Sequence, residues 1–158
     1  MKLMFHKIYI RAILGSIFLA IILEIVERIF NLEQLTQVFD FENLWGEFIL
    51  TVIIGPFIET LIIQIGLIFI LRIIFALLLD NQETKSNPVL IPSIIVSSVI
   101  FGILPYYNLT YILFATFIGL YFGYIYYISL RRDNNPLFPV IVAHAVYNFC
   151  VLLLDGKF

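Results

Sequence analysis

The amino-acid sequence predicts an all-α fold, a polytopic transmembrane helix bundle with about five membrane segments. Of its 158 residues, 62% are hydrophobic and 13% are charged, whereas a soluble domain is about 45–50% apolar. The mean hydropathy is +1.05. No Asp, Glu, Lys or Arg occurs in the 45 residues from Ser86 to Leu130, which leaves room for two spans of about 20 residues each. We therefore expect one integral membrane domain over residues 1–158, with the lipid bilayer as the partner of its outer surface.

The composition excludes several other classes of protein. The net charge is −2 and no run of basic residues occurs, so we expect no nucleic-acid partner. The single cysteine, Cys150, excludes an internal disulfide and a cysteine-based zinc cluster. We predict neither a cofactor nor a bound metal. The partners that remain are the bilayer and a membrane peptide or protein.

Five apolar segments can be marked, at about residues 8–30, 48–79, 89–105, 109–130 and 137–154. Basic residues precede the first segment, but no small-x-small cleavage pattern follows it, so we expect a retained helix rather than a signal peptide. Near the end of this helix, Glu24 and Arg28 are four residues apart. We expect them to pair on one helix face at the membrane interface.

The second segment is too long for one simple span, because its 32 residues would extend about 48 Å as a helix. It contains the dipeptide Gly55-Pro56. Proline has no backbone N–H and is favoured in the first turn of a helix. We therefore expect a break at this point and a new helix that begins near Pro56, with Glu59 at the end of its first turn.

The distribution of charge predicts a topology. Residues 31–47 carry four negative charges and no positive charge, which is typical of an acidic external loop. The positive-inside rule places clusters of Lys and Arg in the cytoplasm. Five crossings bring both basic clusters to the same side, so we expect a cytoplasmic N-terminus. These clusters consist of Lys2, Lys7 and Arg11, and of Arg131 and Arg132.

Glu59 is the first candidate for chemistry, because it is the only charged side chain from Phe48 to Leu71. A carboxylate at that depth costs at least about 2 kcal/mol unless it faces a partner or a water-filled cavity. Desolvation favours its neutral form, whereas a helix N-terminus favours its charged form. Glu59 is therefore a candidate general base. The alternative is a structural glutamate that is hydrogen-bonded to Ser, Tyr or backbone groups.

His144 and Asn148 form the second candidate group. They are four residues apart in the last segment, so on a helix they share one face. A carboxylate that activates water, with a His and an Asn that stabilise an oxyanion, would make a minimal amide-hydrolysing site. We expect Glu59 within about 8 Å of the His144 ring, since one water or peptide group must touch both. The alternative is a buried histidine that serves packing alone.

The sequence from Gly55 to Asn148 resembles the CPBP family of intramembrane endopeptidases, which includes CaaX prenyl-protein proteases and bacterial relatives linked to bacteriocin processing or self-immunity. The resemblance covers roughly residues 48–150. Glu59 and the residues after it look like the family's Glu-Glu-x-x-x-Arg helix, and His144-x-x-x-Asn148 matches its final motif. The segment from Phe101 to Pro105 looks like its Phe-x-x-x-His motif.

The resemblance implies a role for each matching residue. Glu59 would activate the water, and His144 with Asn148 would stabilise the oxyanion. The resemblance also implies a multi-pass protein of a bacterial cell membrane. Although the family has been described as metal-dependent, one Glu, one His and one Asn are a poor ligand set for zinc, which favours a metal-free glutamate mechanism.

Half of the family pattern is replaced in this chain. Thr60 stands at the second Glu and Gln64 at the Arg, so two charges are lost together and no orphan charge remains. We expect both side chains to hydrogen-bond to neighbouring helices or to each other rather than to face lipid. Pro105 stands at the first His, which by resemblance helps Glu59 to hold the water. Proline offers no side-chain donor or acceptor for that role.

Three functions are compatible with these features. The first is intramembrane hydrolysis of a peptide bond by Glu59, His144 and Asn148. The second is an inactive pseudoprotease that binds a peptide, regulates a membrane partner or confers self-immunity against a bacteriocin. The third is a small transporter or channel subunit, which would need Glu59 and His144 at different depths along a polar pathway.

Overall fold

A computed structural model describes residues 2–30, 43–104 and 108–156, with side chains from His6 onward. Within these ranges all regular structure is helical, which confirms the predicted all-α bundle. Four of the five helices are long and apolar enough to cross a membrane, judged by length and composition, and the third is a shorter apolar helix. The helices are α1 (Lys2–Phe30), α2 (Leu44–Leu78), α3 (Asn87–Ile103), α4 (Leu109–Leu130) and α5 (Leu137–Leu154).

The predicted break in the second segment is wrong, because α2 is continuous. Its conformation alternates between α-helical and π-helical turns, with π-helix over Ile49–Ile54 and again over Thr60–Gly66. An α-helical stretch does begin at Gly55, with Pro56 in its first turn. A proline within an α-helix collides with the carbonyl four residues earlier. The wider π-helical turn before Pro56 relieves this collision, so the helix continues through it.

The helices pack in pairs, with α3 along α4 and α1 along α5. Small residues let α3 and α4 approach closely, since a Cβ at Gly119 would lie 3.2 Å from the Cα of Ser98 and a Cβ at Gly123 would collide with Ile94. This close packing is what the Gly-x-x-x-Gly spacing indicates. Across the other pair, the buried hydroxyl of Ser16 donates to the backbone oxygen of Ala143 at 2.7 Å.

Hydrogen bonds between helices establish the relative directions of α1, α2, α4 and α5. Arg28 near the end of α1 donates to the carbonyl of Leu154 at the end of α5, so these helices run parallel. Arg72 in the last part of α2 donates to Tyr126 near the end of α4. Asn148 in the last part of α5 donates to Thr51 O in the first part of α2, so these two helices run in opposite directions. The bundle therefore has one end that holds the ends of α1 and α5, and an opposite end that holds the ends of α2 and α4.

The outer surface of the bundle is strongly apolar. Large hydrophobic side chains are well exposed on every helix, among them Ile29 at 68%, Leu77 at 78% and Leu109 at 73%. A soluble monomer rarely exposes such a continuous apolar surface. Since lipid solvates these side chains, the surface agrees with an integral membrane protein.

Candidate active site

Glu59 and His144 lie in contact near the middle of the bundle. The distance from Glu59 Oε2 to His144 Nε2 is 3.5 Å, so the expected separation of less than about 8 Å is confirmed. The imidazole is buried, whereas the side chain of Glu59 is 46% exposed and lines a cavity. A transport pathway would require the two groups at separate depths, and their contact does not favour that function.

Asn148 joins the same cavity and also anchors α5 to α2. Its side-chain Nδ2 donates to the backbone oxygen of Thr51 at 2.8 Å. In the π-helical turn, the N–H of Gly55 bonds to Leu50 O, five residues earlier. By the same spacing the Thr51 carbonyl would accept from residue 56, but Pro56 has no N–H. The proline therefore leaves a helix carbonyl available, and the Asn148 amide occupies it.

The cavity has a volume of about 220 Å³ and contains all three predicted site residues. Helices α1, α2, α4 and α5 contribute most of its walls, and Phe101 adds a wall from α3. Four further carboxylates line it at the end where α1 and α5 terminate. These are Glu24, Glu27, Glu47 and Asp155.

One of these carboxylates belongs to the predicted interfacial ion pair. Arg28 Nε lies 2.5 Å from Glu24 Oε1, which confirms the pairing. Arg28 also donates to the carbonyl of Leu154 at 3.3 Å, so the same guanidinium joins the ends of α1 and α5. The prediction missed that Glu24 lines the cavity, because spacing along one helix does not show what lies across from it.

Thr60 and Gln64 face the interior, as expected from the cost of an unpaired polar group in lipid. Both are fully buried. Thr60 Oγ1 lies 3.2 Å from His144 Nδ1, and Gln64 Nε2 donates to the backbone oxygen of Gly119 at 3.0 Å. Each therefore bonds to a neighbouring helix. Within the described part of the chain, the side-chain oxygen of Gln64 is buried without a partner.

Two aromatic rings hold the imidazole of His144. Phe101 meets it edge-on, with ring centroids 5.9 Å apart, and the buried ring of Phe122 lies against it at 4.7 Å. Phe101 belongs to the motif that carried the family resemblance. Sequence reasoning missed Phe122, because α4 is apolar on all sides and its periodicity does not indicate which aromatic residue points inward.

Several predictions fall on residues outside the described ranges. Pro105, which replaces a family histidine, is one of them, and so is residue range 31–42 of the acidic loop. Both stay predictions from the sequence.

The donor set does not suit a zinc ion. Catalytic zinc takes three protein ligands, usually His, Cys or carboxylate. The cavity brings one imidazole and the carboxylate of Glu59 together, and among the described residues no group of three or more His, Cys, Asp or Glu could hold a metal. The Nδ1 atom of His144 is already engaged by Thr60.

Comparison with known proteins identifies the family. A family model described as Rce1-like, type II CAAX prenyl endopeptidase, matches residues 41–150. No curated protein and no solved structure matches the chain. The matched range takes in α2 to α4 and most of α5, and it leaves out α1, although Ala20 and Leu23 of α1 line the cavity. Because this match covers well over half of the chain and includes Glu59, His144 and Asn148, the chain belongs to the Rce1-like type II CAAX prenyl endopeptidases, intramembrane proteases of the CPBP family.

Proposed function

We propose that this protein is an intramembrane endopeptidase that hydrolyses a peptide bond with water activated by Glu59. One observation carries the proposal: Glu59 Oε2 lies 3.5 Å from His144 Nε2 in a cavity that Asn148 also lines. A general base must lie within reach of the proton that it takes, directly or through one water. The half-exposed Glu59 carboxylate has this access, whereas the His144 ring beside it is buried.

The chemistry follows from the donors and acceptors that line the cavity. Glu59 takes a proton from a water molecule as the water oxygen bonds to the carbonyl carbon of the substrate. The resulting oxyanion accepts hydrogen bonds from His144 Nε2 and from Asn148. A side-chain amide has two N–H groups, and Asn148 uses one of them for Thr51 O, which leaves the second for the oxyanion. When the C–N bond breaks, Glu59 returns its proton to the leaving amine.

The substrate follows from where the cavity lies. Helices that pack into an apolar bundle surround it, so a substrate segment reaches the site from within or beside the bilayer. The family description names prenyl-modified CaaX substrates. We propose a membrane peptide or membrane protein segment as substrate, and a prenylated CaaX peptide is the first probe.

Because Pro105 replaces a family histidine, we expect a low rate of peptide cleavage. By resemblance, that histidine would help Glu59 to orient the water. General acid or base groups contribute about 10²- to 10⁴-fold, so we expect slow turnover in the natural chain. Pro105→His should increase the rate, because the imidazole restores a partner for the water.

The test compares the natural chain with Glu59→Gln and Pro105→His in liposomes at equal protein density. Cleavage of the prenylated CaaX peptide and of an unprenylated apolar peptide is followed by mass spectrometry. We expect Glu59→Gln to abolish cleavage, since an amide cannot accept the proton, and Pro105→His to raise it.

Two outcomes would contradict the proposal. One is cleavage that survives Glu59→Gln at the natural rate. The other is no cleavage in any variant together with peptide binding that Glu59→Gln leaves unchanged, which is the behaviour of a pseudoprotease.

A further inference from the structure

We propose that Thr60 is a positioning residue that, together with the carboxylate of Glu59, holds His144 in one tautomer, with the ring proton on Nε2. The contact between Thr60 Oγ1 and His144 Nδ1, 3.2 Å long and buried, carries this inference. The use of the Nε2 proton in catalysis rests on the proposed function. The tautomer itself does not, and it can be measured in a protein that cleaves nothing.

The surroundings of the imidazole decide which partner donates. Nε2 faces the carboxylate of Glu59 at 3.5 Å, and an ionised carboxylate only accepts hydrogen bonds. A neutral imidazole has one N–H, so this arrangement places it on Nε2 and leaves Nδ1 as an acceptor. The hydroxyl of Thr60 then donates to Nδ1. The ring keeps this orientation because Phe101 and Phe122 lie against it.

The hydroxyl of Thr60, like those of Ser16 and Ser97, bonds to another helix rather than to its own, and of these three it is the one whose partner is a side chain. Four others donate to the carbonyl four residues earlier in their own helix, at 2.7 to 2.8 Å, which is the usual local alternative for Ser and Thr. Thr60 instead reaches a residue 84 positions away in the sequence. It stands where α2 changes from α-helical to π-helical turns, a feature frequent at functional sites. The four with local bonds are Thr51, Ser93, Ser98 and Ser129.

The consequence for the site is a fixed donor. With its proton on Nε2, His144 presents an N–H toward Glu59 and the cavity, where the substrate carbonyl oxygen would become an oxyanion. The opposite tautomer would present a lone pair, which repels that oxyanion. The hydroxyl of Thr60 does not ionise near neutral pH, so it can donate to Nδ1 throughout that range and stabilise the tautomer that the Glu59 carboxylate favours. In catalytic sites a histidine in the wrong tautomer loses activity by orders of magnitude.

The chain is well suited to a spectroscopic test, because it has two histidines. His6 is exposed near the start of α1, so His6→Gln leaves His144 as the single imidazole. Nitrogen-15 NMR of histidine-labelled protein in nanodiscs at neutral pH separates protonated from unprotonated ring nitrogens. We expect a protonated Nε2 and an unprotonated, hydrogen-bonded Nδ1. A proton on Nδ1, or on both nitrogens, would overturn the proposal.

The variants Thr60→Val and Thr60→Ser complete the test in the His6→Gln background. Valine keeps the shape and removes the hydroxyl, so both tautomers should appear, whereas serine should retain the single tautomer. With a cleavable peptide, Thr60→Val should lower kcat by at least about tenfold with little change in KM, and serine should restore it. An unchanged tautomer in Thr60→Val would contradict the role of Thr60.

Two safeguards keep the test decisive. If Thr60→Val does not fold, the Nδ1 resonance of the His6→Gln protein tests the contact. A hydrogen-bonded nitrogen resonates measurably upfield of a free one, and a free Nδ1 would overturn the proposal. If no peptide is cleaved, the proposed function fails while the tautomer is still measured. The two failures are therefore distinguishable.

Discussion

Among single residues, Asn148 shows how one side chain serves both packing and the proposed chemistry. One amide N–H is bonded to Thr51 O at 2.8 Å, which orients the amide and joins α5 to α2. This bond also determines which end of the amide faces the cavity, since the oxygen could not lie against a second carbonyl oxygen. The remaining N–H is thereby held in place before a substrate arrives, which is how an oxyanion donor is most effective.

The substitution Asn148→Asp tests this dual role. A carboxylate has the same shape but no N–H, and it would lie against the carbonyl of Thr51 in the cavity that Glu59 also lines. We expect peptide cleavage to fall by about 10²-fold or more and the melting temperature in detergent to fall as well. Asn135→Asp is the matched control, since Asn135 uses its side-chain oxygen as an acceptor for Leu137 N–H, which aspartate retains. Equal activity in the two variants would exclude Asn148 as a donor.

At the scale of an element, the alternating turns of α2 determine where the site residues point. A uniform α-helix would rotate Glu59 and Thr60 relative to Thr51 by a different amount, because a π-helical turn contains an extra residue. The π-helical turn over Ile49–Ile54 leaves the Thr51 carbonyl for Asn148, and the turn over Thr60–Gly66 begins at the residue that contacts His144. The helix geometry therefore brings α2 and α5 into register at two adjacent points.

Pro56→Ala examines this geometry. Alanine restores an N–H that can bond to Thr51 O and compete with Asn148. We expect kcat/KM to fall about tenfold through misplacement of Asn148, while thermal stability stays the same or rises, because proline within a helix is unfavourable. Pro92→Ala is the control, since Pro92 lies inside α3 and does not line the cavity. A Pro56→Ala protein as active as Pro92→Ala would show that Asn148 does not depend on the missing N–H.

At the scale of the whole molecule, charge separates the two ends of the bundle. Among the described residues, the end that holds the termini of α1 and α5 has Arg28 as its basic residue and carries the acidic side chains of the cavity. The opposite end carries Lys and Arg in excess over Asp and Glu. By the positive-inside rule we propose that the basic end faces the cytoplasm. The basic residues are Lys7, Arg11, Arg72, Lys85, Arg131 and Arg132.

Single-cysteine labelling determines this orientation. Cys150→Ser removes the one native thiol. Gly46→Cys then marks the acidic end, where a Cβ meets nothing within 4 Å, and Gln82→Cys marks the basic end at an exposed position. In intact cells we expect a membrane-impermeant maleimide to label Gly46→Cys at once and Gln82→Cys only after the membrane is opened. The reverse pattern would place the N-terminus outside.

The sequence by itself determined the membrane bundle and the three candidate site residues. So large an excess of apolar residues can be solvated only by lipid, which predicts a membrane bundle. An ionisable side chain within an apolar segment must have a partner, which singled out Glu59 and His144 as candidates. Thr60 and Gln64 were predicted to bond inward for the same reason. Each of these inferences depends on the free-energy cost of exposing apolar side chains to water or of burying a polar group without a partner, which applies to any fold of this chain.

Only the tertiary structure shows which groups are the hydrogen-bond partners of these polar side chains. The length of the second segment and its Gly55-Pro56 dipeptide predicted a break, whereas in the structure α2 is continuous, contains π-helical turns and packs against α5. The contacts of Thr60 with His144 and of Asn148 with Thr51 join residues 84 and 97 positions apart. No periodicity records such pairs, because the relative rotation of two helices depends on side chains from both of them at once.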